Sequence, residues 1–324
     1  MLAGLAFGWR TAILTVVVAQ LLLMAIALAS TMANRTANRT LAVLLTMMAL
    51  LVTPWLIGFA GFYDRWMWLT FAPFQITLAI APLAWLYGVA LTSGRWPPLG
   101  WMHMLPAGVQ ILYLSICFVL PLDVKLAWAD RTDAAYSLLT GAILIAQMAG
   151  YSLASARQLS RYRLALANQT ANDHRFAARW LSATFAALAI LFIIWAAHLL
   201  IGLFVPLDYK ALMGLYLAIG FTGLFLGIEG WRHAALPFPL IAPPAPAPAA
   251  DARDWEAQGR AWAAIIREQQ WARDPDVNLA GLARLLGTNS SYLSRAINSG
   301  AGENFSSFIA RLRAEAVAAR LTAS

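Results

Sequence analysis

Charge disappears from this chain in long blocks. No Lys, Arg, Asp or Glu falls in Thr11–Asn34, Thr40–Tyr63, Trp66–Gly94, Trp96–Leu122, Ala134–Ala156, Trp180–Leu207 or Ala211–Ile228. Each block can hold the roughly 20 apolar residues that a helix needs to cross a bilayer. The pattern predicts seven transmembrane helices, near 11–30, 41–60, 68–92, 102–121, 135–155, 181–204 and 211–229. After residue 250 the pattern changes to short amphipathic segments. Asp254–Trp271 carries Trp255, Trp262, Ile265 and Ile266 on one side of a helix that Asp274-Pro275 ends. Leu279, Leu282, Ala283 and Leu286 then recur at i, i+3, i+4 and i+7, one apolar helical stripe.

The ends of these later helices are also marked. Asn278 is placed to cap the Leu279 helix, and Val277 with Leu282 can staple it. Gly287 sits where a left-handed residue ends a helix. Asn289 or Ser290 can cap a second helix running to about Ser299. Its buried side is Leu293, Ala296 and Ile297, and its other side is Ser291, Ser294, Arg295 and Asn298. Phe305, Phe308, Ile309 and Leu312 mark a third helix, with Asn304 as its cap. Two short helices joined by a tight turn make a helix-turn-helix. The expected fold is therefore all-α: a seven-transmembrane-helix bundle over 1–232, a linker over 233–250 and a small helical helix-turn-helix domain over 251–324.

Composition agrees. With 61% hydrophobic and 12% charged residues, the 324-residue chain is not an ordinary soluble domain. Its basic residues set an orientation. Arg35, Arg39, Arg95, Arg157, Arg161, Arg163, Arg175 and Arg179 lie in connections on one side; Arg10, Arg65, Lys125, Arg131 and Lys210 lie on the other, beside five aspartates. The richer side is expected to be cytoplasmic, which puts the N-terminus outside and the C-terminus inside a bacterial inner membrane. The first apolar run is longer than a signal-peptide core, and Arg35 and Arg39 after it resist export. It reads as a retained helix.

Between the two regions, His233–Ala250 has six prolines from Pro237 to Pro248 and no charge. It reads as a semi-rigid extended spacer. The tetrapeptide Ala-Asn-Arg-Thr occurs twice, at 33–36 and 37–40, and reads as a short positive loop with Thr40 capping the second helix. The Arg157–Arg179 connection reads as an anchor against anionic headgroups, or else as a docking surface for the C-terminal domain. Gln75, Gln110, Gln147, Tyr151, His103 and His198 are the polar groups of the apolar runs, and such groups usually face a bundle interior. Pro73, Pro82 and Pro106 fall within expected helices and are candidates to kink them. Tryptophans at the helix ends, among them Trp9, Trp68 and Trp101, fit an aromatic belt.

Candidate chemistry adds little. The single cysteine, Cys117, reads as a packing residue. No Cys/His spacing suits zinc, no glycine loop cradles phosphate, and no Ser/His/Asp set stands out. The sequence therefore reads as a non-enzyme with no cofactor and no metal.

The run Leu279-x-x-Leu282-Ala283-x-x-Leu286-Gly287, then Ser291-Tyr292-Leu293-Ser294-Arg295, then Gly302-x-x-Phe305-x-x-Phe308-Ile309-x-x-Leu312-Arg313, resembles the AraC-type DNA-binding domain. The resemblance covers about Asp276–Leu321, the first helix-turn-helix and the joining helix of a family that carries two such units, so the domain reads as incomplete. It implies double-stranded DNA as partner, read by the second helix in the major groove. Ser291, Ser294 and Arg295 are then the base-reading candidates, with Asn298 beside them, and Asn289 and Ser290 cap the helix or touch phosphate. Arg311, Arg313 and Arg320 fit phosphate contact or a solvated face equally. If Ser324 is the true end, one reading unit per chain further implies a homodimer; if the chain continues, the second unit follows in cis. The expected protein is a membrane-embedded one-component transcription regulator that senses an unknown small ligand. The alternative is a receptor or transporter whose tail docks a protein partner.

Overall fold

The computed structural model describes residues 5–169, 179–205, 207–236 and 254–323. Their regular structure is helical, with no strand among them. The chain divides into two compact units, Met1–Gln158 with Arg179–Phe238 and Leu159–Ala178 with Pro239–Ser324.

In the first unit the helices are α1 (Trp9–Ser30), α2 (Arg35–Phe59), a single turn α3 (Phe62–Arg65), α4 (Ile80–Ser93), α5 (Leu105–Phe118), α6 (Leu122–Gln169, whose end enters the second unit), α7 (Arg179–Gly202) and α8 (Met213–His233). Among the described residues six helices are long and apolar enough to cross a membrane, where seven were expected. The exception is the expected 68–92 helix. Phe71 adopts φ +65°, and Pro73 follows two residues later, so regular helix begins only at Ile80. Proline restricts the residue before it and removes a donor. The 14 residues of α4 rise only about 21 Å. They are enclosed by the bundle: Ile80, Leu83, Leu86, Tyr87 and Leu91 are all buried.

The proline expectations change too. Pro82 and Pro106 lie in the first turns of α4 and α5, where a missing N–H is not missed. The proline inside a long helix is Pro54 of α2. Thr40 does not cap α2, which starts five residues earlier behind Asn34; its hydroxyl donates to Thr36 O at 2.8 Å and accepts from Trp96 Nε1 at 2.8 Å. Helix α6 runs unbroken for 48 residues, about 72 Å. That corrects the expected loop after Arg157, which is helical to Gln169. No Gly or Pro interrupts Arg157–Gln169, and Arg, Leu, Gln and Ala there are good helix formers. Residues 170–178 and the Pro-rich spacer from 237 to 250 lie outside the described residues.

Helices α1, α2 and α8 form the tightest part of the bundle. Gly220, Gly223 and Gly230 of α8 meet Val17 and Leu21 of α1 and Leu41 of α2 at distances where a methyl group would force a side chain to shift, and Gly227 leaves only a tight fit against Met24 and Leu45. Small residues let backbones approach where packing, not water exclusion, drives association. The polar groups are mostly satisfied. Gln110 accepts from Leu78 N at 3.1 Å and donates to Thr77 Oγ1 and Tyr136 OH. His103 Nδ1 lies 2.8 Å from Tyr151 OH, with Trp85 against both rings. His198 Nδ1 sits 2.8 Å from the carbonyl of Ile194 one turn back. Gln75 is exposed in the irregular stretch before α4, whereas Gln147 keeps a buried, unpaired Oε1. Cys117 is buried and unpaired in any disulfide.

In the second unit the helices are α9 (Trp255–Glu268), α10 (Leu279–Leu285), α11 (Ser290–Ala301) and α12 (Phe305–Ala323). Their shared core is Ile266, Ala272, Val277, Leu279, Leu282, Ala283, Leu293, Ile297, Phe305, Phe308, Ile309 and Leu312. Ile265, expected on the buried side of α9, is exposed; Ile266 and the partly buried Trp262 and Ala263 cover the core instead.

Candidate nucleic-acid interface

Three asparagines set the local geometry. Each accepts the backbone N–H of the third residue of the helix it starts: Asn278 from Gly281, Asn289 from Tyr292 and Asn304 from Ser307, at 2.8–2.9 Å. Each satisfies an otherwise orphaned donor. Between α10 and α11, Gly287 takes φ +65°, and Thr288 N returns to Ala283 O at 2.9 Å, a left-handed close to the helix. Gly302, at φ +68°, ends α11 in the same way. The turn is thereby fixed at both ends.

Burial of Leu293, Ala296 and Ile297 orients α11. It brings Ser291, Ser294, Arg295 and Asn298 together on the opposite side, with Arg295 and Asn298 exposed and the two serines partly so. Asn289 is occupied as the cap, and Ser290 opens the helix beside it. The six sequence candidates therefore cluster at one end and along one face of α11.

Two features behind that face were not legible from spacing. First, α9 crosses α11 backbone to backbone: a methyl group on Gly259 would overlap the carbonyl of Ala296, and Gly300 leaves no more room. Second, Trp255 stacks on Tyr292 at 5.4 Å, and the Arg295 guanidinium lies 4.8 Å from the Trp255 ring. Arg295 thus rests on a tryptophan 40 residues earlier, a contact that local sequence cannot announce.

The remaining arginines divide. Arg313 donates from Nε to Ala272 O and from Nη2 to Asp274 O, both at 2.8 Å, tying α12 to the turn before α10. Arg311 pairs with Glu303 at 2.7 Å and Glu315 at 2.8 Å, and Glu315 also takes Arg267 at 3.0 Å. The hydrogen bonds Arg311 donates to Glu303 and Glu315 raise the Arg311 pKa, and the bonds Glu315 accepts from Arg311 and Arg267 lower its own. A depressed carboxylate stabilises the fold above its unfolded pKa, and that contribution is lost as pH falls through the folded value. Arg311 and Arg313 are therefore engaged within the unit. Arg284, Arg295 and Arg320 are exposed and in no ion pair among the described residues. No group of three or more potential metal-ligating His, Cys, Asp or Glu residues occurs among the described residues. No protein-family model, curated protein or solved structure matches the chain.

Proposed function

We propose that the chain is a membrane-embedded transcription regulator whose C-terminal unit reads double-stranded DNA through α11. The observation that carries this reading is the capped α10–turn–α11 pair, with Ser291, Ser294, Arg295 and Asn298 left outward on its second helix. A helix so presented suits the major groove. Arg295 can give a guanine a bidentate contact, worth about 1–3 kcal/mol of discrimination. Its rest on Trp255 does not forbid that, because an exposed cation–π contact is worth only about 0.5–1 kcal/mol. Phosphate contacts fall to Arg284, to Arg320 and to the N-terminus of α11, where unpaired N–H groups favour anions.

In the same reading α4 is the seventh crossing, and both the N-terminus outside and the C-terminus inside follow from the arginine distribution. Two contacts support the crossing. Lys125, at the start of α6, donates to Trp68 O at 3.1 Å and Phe118 O at 2.7 Å, while Trp96 donates to Thr40 near the start of α2. These contacts support a chain that passes from one end of the bundle to the other between Trp68 and Trp96. The membrane bundle senses a small ligand, and two chains bind paired DNA sites.

The test is base preference. With full-length protein in nanodiscs and an operator found by selection, Arg295→Ala should lose discrimination at one base position by roughly 5- to 150-fold, the equivalent of 1–3 kcal/mol. Arg295→Lys should keep the salt dependence but not the discrimination, because lysine cannot make the bidentate contact. Unchanged preference at every position in Arg295→Ala removes Arg295 from the reading face. Retention of a partner protein without any DNA preference in the wild type favours the docking-tail alternative.

A further inference from the structure

The doubled Ala-Asn-Arg-Thr motif has a geometry that a loop would not give it. From Arg35 onward it is helix, and a four-residue repeat in a helix places equivalent side chains at i and i+4, on one face. The two asparagines do one job. Asn34 donates from Nδ2 to Leu236 O at 2.8 Å and Ala234 O at 3.3 Å, and Asn38 donates to Ala234 O at 3.1 Å and Ala33 O at 2.7 Å. Asn38 and Ala234 are buried. Asn34 itself takes a left-handed conformation, φ 44°, which asparagine tolerates better than most residues. Together they hold the final carbonyls after α8, at the last described residue before the Pro-rich stretch.

The two arginines face elsewhere. Arg35 and Arg39 are exposed, in no ion pair among the described residues, and one turn apart. Like charges at i and i+4 repel, so the pair is unfavourable until an anion lies between them. The same stripe of α2 continues into the exposed Val43 and the partly exposed Met47, and Met32 is exposed beside its start. Charge at the helix start followed by apolar surface along the helix matches one occupant, a phospholipid with its phosphate at the arginines and its acyl chain along Val43 and Met47. A soluble phosphate has no use for the apolar half of the stripe.

We propose that Arg35 and Arg39 bind the headgroup of an anionic phospholipid, and that the asparagines preceding each, Asn34 and Asn38, couple this lipid to the hold on residues 234–236. The proposal rests on the membrane reading of the bundle and not on DNA binding. Lipid binding quiets the Arg35–Arg39 repulsion, firms the first turns of α2 and so firms the anchor from which the Pro-rich stretch departs.

The experiment uses the full chain, released from nanodiscs of phosphatidylcholine with or without phosphatidylglycerol. Retained lipid is measured by native mass spectrometry, and amide exchange is followed over 232–236. The wild type should retain phosphatidylglycerol in preference to phosphatidylcholine, and the anionic lipid should slow exchange over 232–236. Arg35→Gln with Arg39→Gln should reduce that retention about thirtyfold, as for the loss of two basic groups at an anionic surface, and abolish the slowing. Arg35→Lys with Arg39→Lys, which preserves the charge, should restore most of the retention. Asn34→Ala with Asn38→Ala should keep the lipid but lose its effect on 232–236. Equal phosphatidylglycerol retention in the wild type and the glutamine variant overturns the site. Displacement of the lipid by millimolar inorganic phosphate overturns the lipid assignment, and slowing that persists in the asparagine variant overturns the coupling.

Discussion

Gly259→Leu should strip amide-exchange protection from the second unit while leaving the α1–α2–α8 packing intact. At Gly259 two effects oppose each other. A glycine inside a helix costs about 0.5–1 kcal/mol relative to alanine, so any side chain improves α9 considered alone. The crossing reverses the sign. The first atom added would overlap the Ala296 carbonyl, and Gly300 packs against the same spot. Overpacking typically costs about 1–3 kcal/mol when side chains can yield, and here the obstacle is backbone. Separation of α9 from α11 also removes Trp255 from Tyr292 and Arg295. Exchange at Leu282, Leu293 and Ile297 amides in the full-length protein should therefore accelerate at least about tenfold, the equivalent of about 1.4 kcal/mol. Gly281→Ala is the control: its added methyl would make only ordinary contact with Asn278, and because it removes a glycine from inside α10 it should leave exchange the same or slower. Unchanged protection in Gly259→Leu contradicts the backbone-to-backbone crossing.

The second large effect is all-or-none. Fusions of an enzyme active only outside the cytoplasm should work after Trp66 and after Leu122 and fail after Arg95 and after Ala250; a cytoplasmic reporter should give the reverse. The pair at Trp66 and Arg95 isolates α4. Its 14 helical residues, with the short 3₁₀ turn before them, cover about 27 Å against a hydrocarbon core of about 30 Å. A deficit of a few ångströms costs only fractions of a kcal/mol per ångström. Burial of α4 against α2 reduces even that, since protein and not lipid surrounds most of it. The same reporter behaviour at Trp66 and Arg95 would make α4 re-entrant. Export of a fusion at Ala250 would place the C-terminal unit away from DNA.

What the sequence could convey divides by range. The caps Asn278, Asn289 and Asn304 and the left-handed Gly287 were legible, because each bond closes within a few residues. The core positions from Val277 to Leu312 were legible as apolar periodicity. Helix length in the bundle was not. A charge-free block marks what can sit in a bilayer, and it does not say where the helix starts or stops. So α6 extends well past its apolar section at both ends, and the 68–92 block contains only a short helix. The repeated tetrapeptide carried a signal that its four-residue spacing could have supplied, one shared helix face, but its partners lie about 200 residues away. Arg311 and Arg313 look alike in the sequence. Contacts with Glu303 and Glu315 in one case and with Ala272 and Asp274 carbonyls in the other remove both from a simple phosphate-contact reading. The Gly259 crossing and the Trp255–Arg295 contact likewise depend on which helices meet.

The most direct measurement is selection from random double-stranded DNA by the full-length protein in nanodiscs at near-physiological salt. Salt must be fixed, because backbone contacts alone give affinity that falls steeply with ionic strength and carries no sequence. The account predicts a recurrent motif with paired half-sites about one helical turn or a multiple of it apart, a motif that Arg295→Ala blurs at one position in each half. Recovery of DNA with no enriched sequence, at the level given by nanodiscs without protein, would contradict it.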